Sequence, residues 1–156
     1  MEYISTLRRL SDDFYNAYPR ETFPEIMQKG LRPYNILLID ANNDYFICVP
    51  FRSEIKHRNA FLFKNSARSR NSSSGLDYSK ICIVQKMNYI SVSPGIVDRD
   101  EYVEMYQNLD EIVEQACAYV SNYVAHQNGS APLSATQYRK RYKYSTLPYF
   151  HKELGL

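Results

Sequence analysis

Apolar residues recur along this chain with a helical period at both ends and in dense, extended-type runs in the middle. Ile4, Leu7, Leu10, Phe14 and Tyr18 stand three and four apart, with Arg8, Arg9, Asp12 and Asp13 between them. That spacing predicts an amphipathic helix over residues 3–18, stopped by Pro19. Phe23 to Lys29 predicts a short helical turn opened by Pro24 and ended by Gly30. Tyr34 to Asp40 and Tyr45 to Val49 are β-branched and aromatic runs, and the Ala41–Asp44 stretch between them holds Asn42 and Asn43, which tolerate the positive φ of a hairpin turn. Because these runs are nearly continuous rather than alternating, both sheet faces are expected to be covered. Ala60–Phe63 predicts a third strand, Tyr78–Gln85 a fourth and Asn88–Val92 a fifth.

Between the third and fourth strands, Asn65 to Gly75 is almost wholly polar and reads as a mobile surface loop. The helical period returns from Asp98, first over Asp100–Gln107 and then at Leu109, Ile112, Val113, Ala116, Cys117, Val120 and Val124. Asn108 with Glu111 has capping-pair spacing, and Asn128-Gly129 supplies the stop. Ser134 with Gln137 is a second capping box, opening a basic helix that Pro148 is expected to end. The order helix, strands, helices defines an α+β domain around an antiparallel sheet. Neither an internal repeat nor a linker interrupts it, so residues 1–156 are read as a single domain.

A chain of 156 residues buries about 70% of the surface it exposes when unfolded, enough for one core. No apolar run reaches the ~18 residues needed to span a bilayer, and the N-terminus lacks a basic segment leading into an apolar one, so a cytoplasmic location is expected. Cys48, Cys82 and Cys117 are far apart in sequence, each in an apolar run, which fits buried thiols rather than disulfides or a metal cluster. Net charge is only +2, but it is unevenly spread. Residues 51–90 carry +6 and 129–156 carry +4, whereas 91–128 carry −6. Two basic blocks flanking an acidic one can fold into a basic face, which attracts phosphate.

Gly-rich phosphate loops, paired metal-ligand motifs and nucleophile elbows are absent from the sequence, so no metal or cofactor is expected. The informative segment is Pro50 to Arg58, which packs Ser53, His57 and the cations Arg52, Lys56 and Arg58 into nine residues. RNA scission by its own 2′-hydroxyl needs a proton acceptor, a donor to the leaving 5′-oxygen and cations on the phosphorane. This segment offers all three, and the alternative is a solvated turn with an ordinary charge run. In Gly75–Lys80, Asp77 can orient a cation and Lys80 can reach a phosphate; otherwise Asp77 caps a turn and Lys80 guards a sheet edge. Further phosphate contacts are expected from Lys64, Arg68, Arg70 and Lys86. The basic helix adds Arg139, Lys140, Arg141 and Lys143, with Tyr138 and Tyr142 placed to stack on unpaired bases. His126 reads as a plain surface residue.

The order of these features resembles the toxins of RNA-antidote (type III) toxin–antitoxin systems, the ToxN, CptN and TenpN group, with the CptN branch favoured. The resemblance rests on Leu31–Ile39, on Tyr45–Ser53 and on Gly75–Lys80, followed by a long helix, and covers about residues 30–125. It implies a compact, barrel-like antiparallel sheet with flanking helices and a metal-independent endoribonuclease that cuts mRNA and its own antitoxin precursor. The implied partners are substrate RNA and a repeated RNA pseudoknot held in a closed protein–RNA assembly. It maps catalytic roles onto Arg32, Ser53 and Lys56. Two departures stand out: the family pattern has Lys where this chain has Arg32, and its turn lysine lies two rather than three residues past the serine. The predicted N-terminal helix also stands where the family has a strand. The competing readings are an RNA-binding module without catalysis and a protein-interaction domain using the acidic helix 98–114.

Overall fold

The computed structural model describes residues 4–28, 34–40 and 44–156; Arg32 and the Asn42-Asn43 turn lie outside the described residues. Among the described residues an antiparallel sheet of six strands occupies the first half of the chain: β1 (Ile4–Arg9), β2 (Asn35–Asp40), β3 (Phe46–Arg52), β4 (Ala60–Leu62), β5 (Gly75–Asp77) and β6 (Cys82–Val84). Among the described residues five helices accompany it: α1 (Asp12–Ala17), α2 (Ala67–Ser72), α3 (Arg99–Gln107), α4 (Leu109–Gln127) and α5 (Ala135–Tyr142). The strands follow the path β1-β2-β3-β5-β4, with β6 also paired to β3. Among the described residues β1 and β4 end the path without pairing to each other, so the antiparallel sheet is not closed.

β3 is the central strand. One edge pairs with β2, while the other is shared by β6 (Cys48↔Cys82) and β5 (Phe51↔Leu76). Between those two ladders the chain makes a 3₁₀ turn over Tyr78–Lys80, so the single strand expected from Tyr78 to Gln85 is broken by a turn. Pro50, which has no N–H to give to a ladder, falls opposite that interruption. Residues 36–39 and 47–51 are buried, in keeping with the continuous apolar runs.

The predicted N-terminal helix is a strand followed by a short helix. Residues 4–9 pair along their whole length with β2, and only then does Ser11 cap α1 by accepting the Phe14 N–H. Over so few residues, apolar spacing does not separate helix from strand, and the unpaired edge of an apolar β2 decides it. A turn at Pro24 and Glu25, closed by the Ile26 N–H on the Phe23 carbonyl, stands where the short helical turn is expected, and the Lys29-Gly30 end of that expectation lies outside the described residues; the fifth strand reduces to a single bridge between Leu10 and Ile90 behind a 3₁₀ turn over Met87–Tyr89. Phe14 anchors this corner, stacked on Tyr18 and edge-on to Tyr89.

α4 buries Ile112, Val113, Ala116, Tyr119, Val120 and Tyr123, close to its predicted stripe. Asn108 does not cap it; Asp98 caps α3 instead, and the Asn108 carboxamide donates to the Glu104 carbonyl. The Ser134–Gln137 capping box forms as expected. Helix α5 ends at Tyr142, before Pro148, which instead lies in a 3₁₀ turn over Leu147–Phe150. The three cysteines are free, and burial pushes the Cys82 thiol up to about 12, which keeps it in the unreactive form.

The expected mobile loop is pinned in place. α2 forms within it behind a Ser66–Ser69 capping box, and two buried carboxylates from α3 hold its approaches. Glu104 accepts the backbone N–H groups of Lys64 and Asn65 at 2.9–3.0 Å, and Glu101 accepts the hydroxyls of Ser66 and Ser74 at 3.2 and 3.0 Å. The segment is polar because its partners are charged. Glu104→Ala should therefore strand two backbone donors and cost about 2–3 kcal/mol of stability. Denaturant unfolding checks the loss, and hydrogen exchange at Lys64 and Asn65 should accelerate; unchanged exchange there would show that Glu104 is not the anchor.

Candidate active site

β3 delivers Arg52 to the mouth of a turn over residues 53–59 that returns into β4. Glu54 has φ +58°, a conformation few residues without a glycine's freedom adopt, and the turn is fixed there by hydrogen bonds to the end of α2. The Glu54 and Ile55 N–H groups donate to the Ser72 and Ser73 carbonyls at 2.5 and 3.1 Å, and the Ile55 side chain is buried. Carbonyls that a helix C-terminus leaves unpaired thus hold the turn. Gly75 makes the close approach possible: a Cβ there would collide with the Phe61 carbonyl oxygen, so a glycine is required at this point of the sheet.

These strands converge on Asp77, whose side chain is fully buried. Its Oδ2 accepts from Arg52 Nη1 at 2.8 Å and lies 3.2 Å from His57 Nε2. Its Oδ1 accepts from Ser79 Oγ at 2.6 Å and from the Ser79 N–H at 3.0 Å. Ser79 Oγ is also 3.3 Å from His57 Nε2. On the other side of the ring, His57 Nδ1 accepts the Asn59 N–H at 3.1 Å, so the imidazole proton belongs on Nε2, facing the carboxylate. Burial alone would raise the Asp77 pKa, but the hydrogen bonds from His57, Ser79 and Arg52 outweigh it and hold the carboxyl below its ordinary value of 3.8. Asp77 thus does both things read from the sequence, capping the 3₁₀ turn and orienting a cation.

Around this buried centre the surface is cationic. Arg52 and His57 are about one third exposed at 29% and 32%, Ser53 is half-buried, and Lys56 and Arg58 are exposed. Ser53, Lys56 and Arg58 have no side-chain hydrogen bond or ion pair among the described residues. The second basic block meets the first: Asn59 Nδ2 donates to the Lys140 carbonyl at 3.0 Å, tying α5, with exposed Arg139, Lys140, Arg141 and Lys143 at its end, to the turn.

Other expected site residues are placed elsewhere. Lys80 Nζ is held by Glu25 at 2.5 Å and by the Tyr144 carbonyl at 2.8 Å and does not join the Asp77 cluster. Lys64 is exposed beside the Glu104 anchor, Arg68 lies 3.8 Å from Glu101, Arg70 donates to the Asn65 carbonyl, and Lys86 sits over the Tyr89 ring. Tyr142 is buried and its hydroxyl donates to the Tyr119 carbonyl, so its ring has no face free for a base. Tyr138 is half-buried and stacked on His126. The exposed ring of this region is Tyr144, with Lys143 Nζ 5.2 Å from its centre. His126 is structural rather than a bare surface residue, since its Nδ1 accepts the Leu133 N–H at 2.9 Å. Ser79 and Asn59 were missed by sequence reasoning; the Asp-x-Ser spacing of 77–79 was the available signal for Ser79, being that of a side chain capping its own turn. Among the described residues, no group of three or more His, Cys, Asp or Glu side chains is arranged to hold a metal ion, and no helix is long and apolar enough to cross a membrane.

No protein-family model matches the chain, and no curated protein matches it in sequence. Among solved structures, it is similar to AbiQ, a lactococcal anti-phage endoribonuclease belonging to the type-III toxin–antitoxin system. The likeness covers 74% of this chain and 79% of that one, with a TM-score of 0.53 and 12% sequence identity. The two chains share a fold.

Asp77→Asn keeps the shape of the side chain and removes its charge, leaving Arg52 without a counter-ion; a loss of about 2–3 kcal/mol at neutral pH is expected. Since the folded-state pKa is depressed, this contribution is complete above 3.8 and disappears as pH falls through the lower folded value. Wild type and variant should therefore converge in stability on acidification below that range, as followed by urea unfolding at a series of pH values. A gap that stays constant into strong acid would assign the loss to shape instead of charge.

Proposed function

We propose that this protein is a metal-independent endoribonuclease toxin of the RNA-antidote type. The observation that carries the reading is the fold shared with AbiQ, itself an endoribonuclease of a type-III system. It is joined by a sequence resemblance to the same class of toxins that rests on separate grounds, the segments around Leu31–Ile39, Tyr45–Ser53 and Gly75–Lys80. Within that class the sequence favours the CptN branch.

In the proposed reaction the substrate's 2′-oxygen attacks the adjacent phosphorus, the bond to the 5′-oxygen breaks, and the products end in a 2′,3′-cyclic phosphate and a 5′-hydroxyl. Arg52, locked on Asp77 and yet open to solvent, meets the phosphate charge, and the Ser53 hydroxyl donates to a non-bridging oxygen as negative charge grows there. Of Lys56 and His57, one takes the 2′-proton and the other gives a proton to the leaving 5′-oxygen, while Arg32 supplies a further cation. For His57 to serve as the acceptor, the Asn59 N–H must release Nδ1, which favours Lys56 in that role. Lys80, already paired with Glu25, acts in the proposal as a brace for the 3₁₀ turn. The partners are substrate RNA and a pseudoknot RNA antitoxin, cut from its precursor and retained in a closed protein–RNA assembly in the cytoplasm.

Incubation of purified protein with a long RNA tests the reading through the chemistry of the ends. Cyclic phosphate and 5′-hydroxyl termini, formed equally well in EDTA, are expected; intact but retarded RNA would replace the enzyme with a non-catalytic RNA-binding module. Ser53→Ala removes one donor and little volume, so it should lower the cleavage rate on the order of 10²-fold, about 3 kcal/mol, with RNA affinity nearly unchanged. Cleavage at the wild-type rate would make the turn hydroxyl structural.

Charge reversal at Arg139 and Lys140 should weaken RNA binding across sequences and reduce the salt dependence by roughly 0.7 log units for each phosphate that the helix no longer neutralises. A salt slope equal to that of the wild type would place α5 outside the RNA interface.

A further inference from the structure

Beside the Asp77 cluster, a groove of about 340 Å³ opens between the start of β4 and the helices α4 and α5. Three buried tyrosines, Tyr78, Tyr119 and Tyr142, line it together with the exposed side chains of Arg58, Asn122 and Arg141. We propose that this groove receives one unpaired nucleobase of the RNA, immediately next to the phosphate held at Arg52 and Ser53. The inference rests on the reading of the chain as a protein that acts on RNA, and adds to it a site for base selection.

The floor suits a flat ring. Each tyrosine hydroxyl is already committed within the protein: Tyr78 to Gln115 Oε1 at 2.7 Å, Tyr119 to the Arg141 carbonyl at 2.7 Å, and Tyr142 to the Tyr119 carbonyl at 2.8 Å. At 5%, 7% and 2% exposed, the three residues close the groove from below with apolar carbon and leave the base to be held from the rim. The rim is the opposite. The guanidinium groups of Arg58 and Arg141 and the carboxamide of Asn122 have no side-chain hydrogen bond or ion pair among the described residues. A carboxamide presents a donor and an acceptor side by side, matching a base edge, and a guanidinium meets either phosphate or a ring face.

The groove is also built from the same backbone as the candidate active site. Asn59, which lines it, gives its N–H to His57, and Ala60 is the ladder partner of Asp77. Tyr78 follows Asp77 directly. A nucleotide seated in the groove therefore neighbours the one whose phosphate reaches Arg52. A paired base, stacked on both faces and hydrogen-bonded along its edge, presents neither surface, so the ligand is single-stranded RNA.

Ala118→Phe fills the groove from α4 at a position outside the Asp77 cluster, and Ser121→Phe, exposed on the same helix and outside the groove, is its control. The probes are a fluorescently labelled octaribonucleotide of mixed sequence without base pairing, and the same strand in a full duplex. The expected result for Ala118→Phe is single-strand binding weakened about tenfold, duplex binding unchanged, and wild-type behaviour in the control. In cleavage of a long RNA, Asn122→Ala should alter the base distribution at one position flanking the cut. This second variant decides the matter if Ala118→Phe does not fold. A protein that binds without cutting would overturn the nuclease reading alone, and a fall in single-strand affinity for Ala118→Phe would still support the groove. If RNA is cut and both variants keep wild-type affinity and base distribution, the groove is not a base site.

Discussion

A single buried carboxylate organises this end of the molecule. Asp77 is wholly removed from water, and a charge in that position is tolerable only if its lone pairs are filled by donors held in fixed places. Four donors meet it, from Arg52 at the end of β3, His57 in the following turn, and the side chain and backbone of Ser79. Satisfying that requirement sets how β3, the 53–59 turn and the 3₁₀ turn lie relative to one another, and so determines which cations are left facing solvent. The result is an arginine whose direction is set by the fold while 29% of its side chain stays open to solvent.

The acidic block plays a part that its charge does not suggest. Two of its carboxylates, Glu101 and Glu104, are turned inward and saturated by hydroxyls and backbone amides of the 64–74 segment. Through α2 that support reaches the 53–59 turn, since the turn's amides end on the Ser72 and Ser73 carbonyls. Acidic and basic regions are therefore successive layers of one scaffold: buried carboxylates brace a polar helix, the helix braces the turn, and the turn carries the cations.

Much of this was legible in the sequence, and the failures share a cause. The dense apolar runs of β2 and β3, the stripe of α4 and the Ser134 capping box are local signals that the structure follows. The errors arose where a distant partner decides. Residues 4–9 are a strand because β2 needs a neighbour, and residues 65–75 are ordered because Glu101 and Glu104 reach them from about thirty residues further along the chain. The same holds at the site. The 50–58 segment was recognisable from its crowding of charge, but no spacing rule joins Arg52 to Asp77 or separates Lys80, whose counter-ion Glu25 lies far upstream. Tyr142 was misjudged for the same reason, as its burial depends on Tyr119.

The tie between Asn59 and the Lys140 carbonyl has a consequence for how the molecule is made. That bond spans 81 residues, and the Thr146 amide reaches back 67 residues to the Ser79 carbonyl, behind the turn that Asp77 caps. Contacts of such sequence separation form late, because a long stretch of chain has to be closed before they contribute anything. During synthesis, the groove and the cationic rim have no second wall until residue 146 has left the ribosome. A chain made only through the strands has the sheet but not the assembled surface, so whatever this site does begins only when the residues up to 146 are in place.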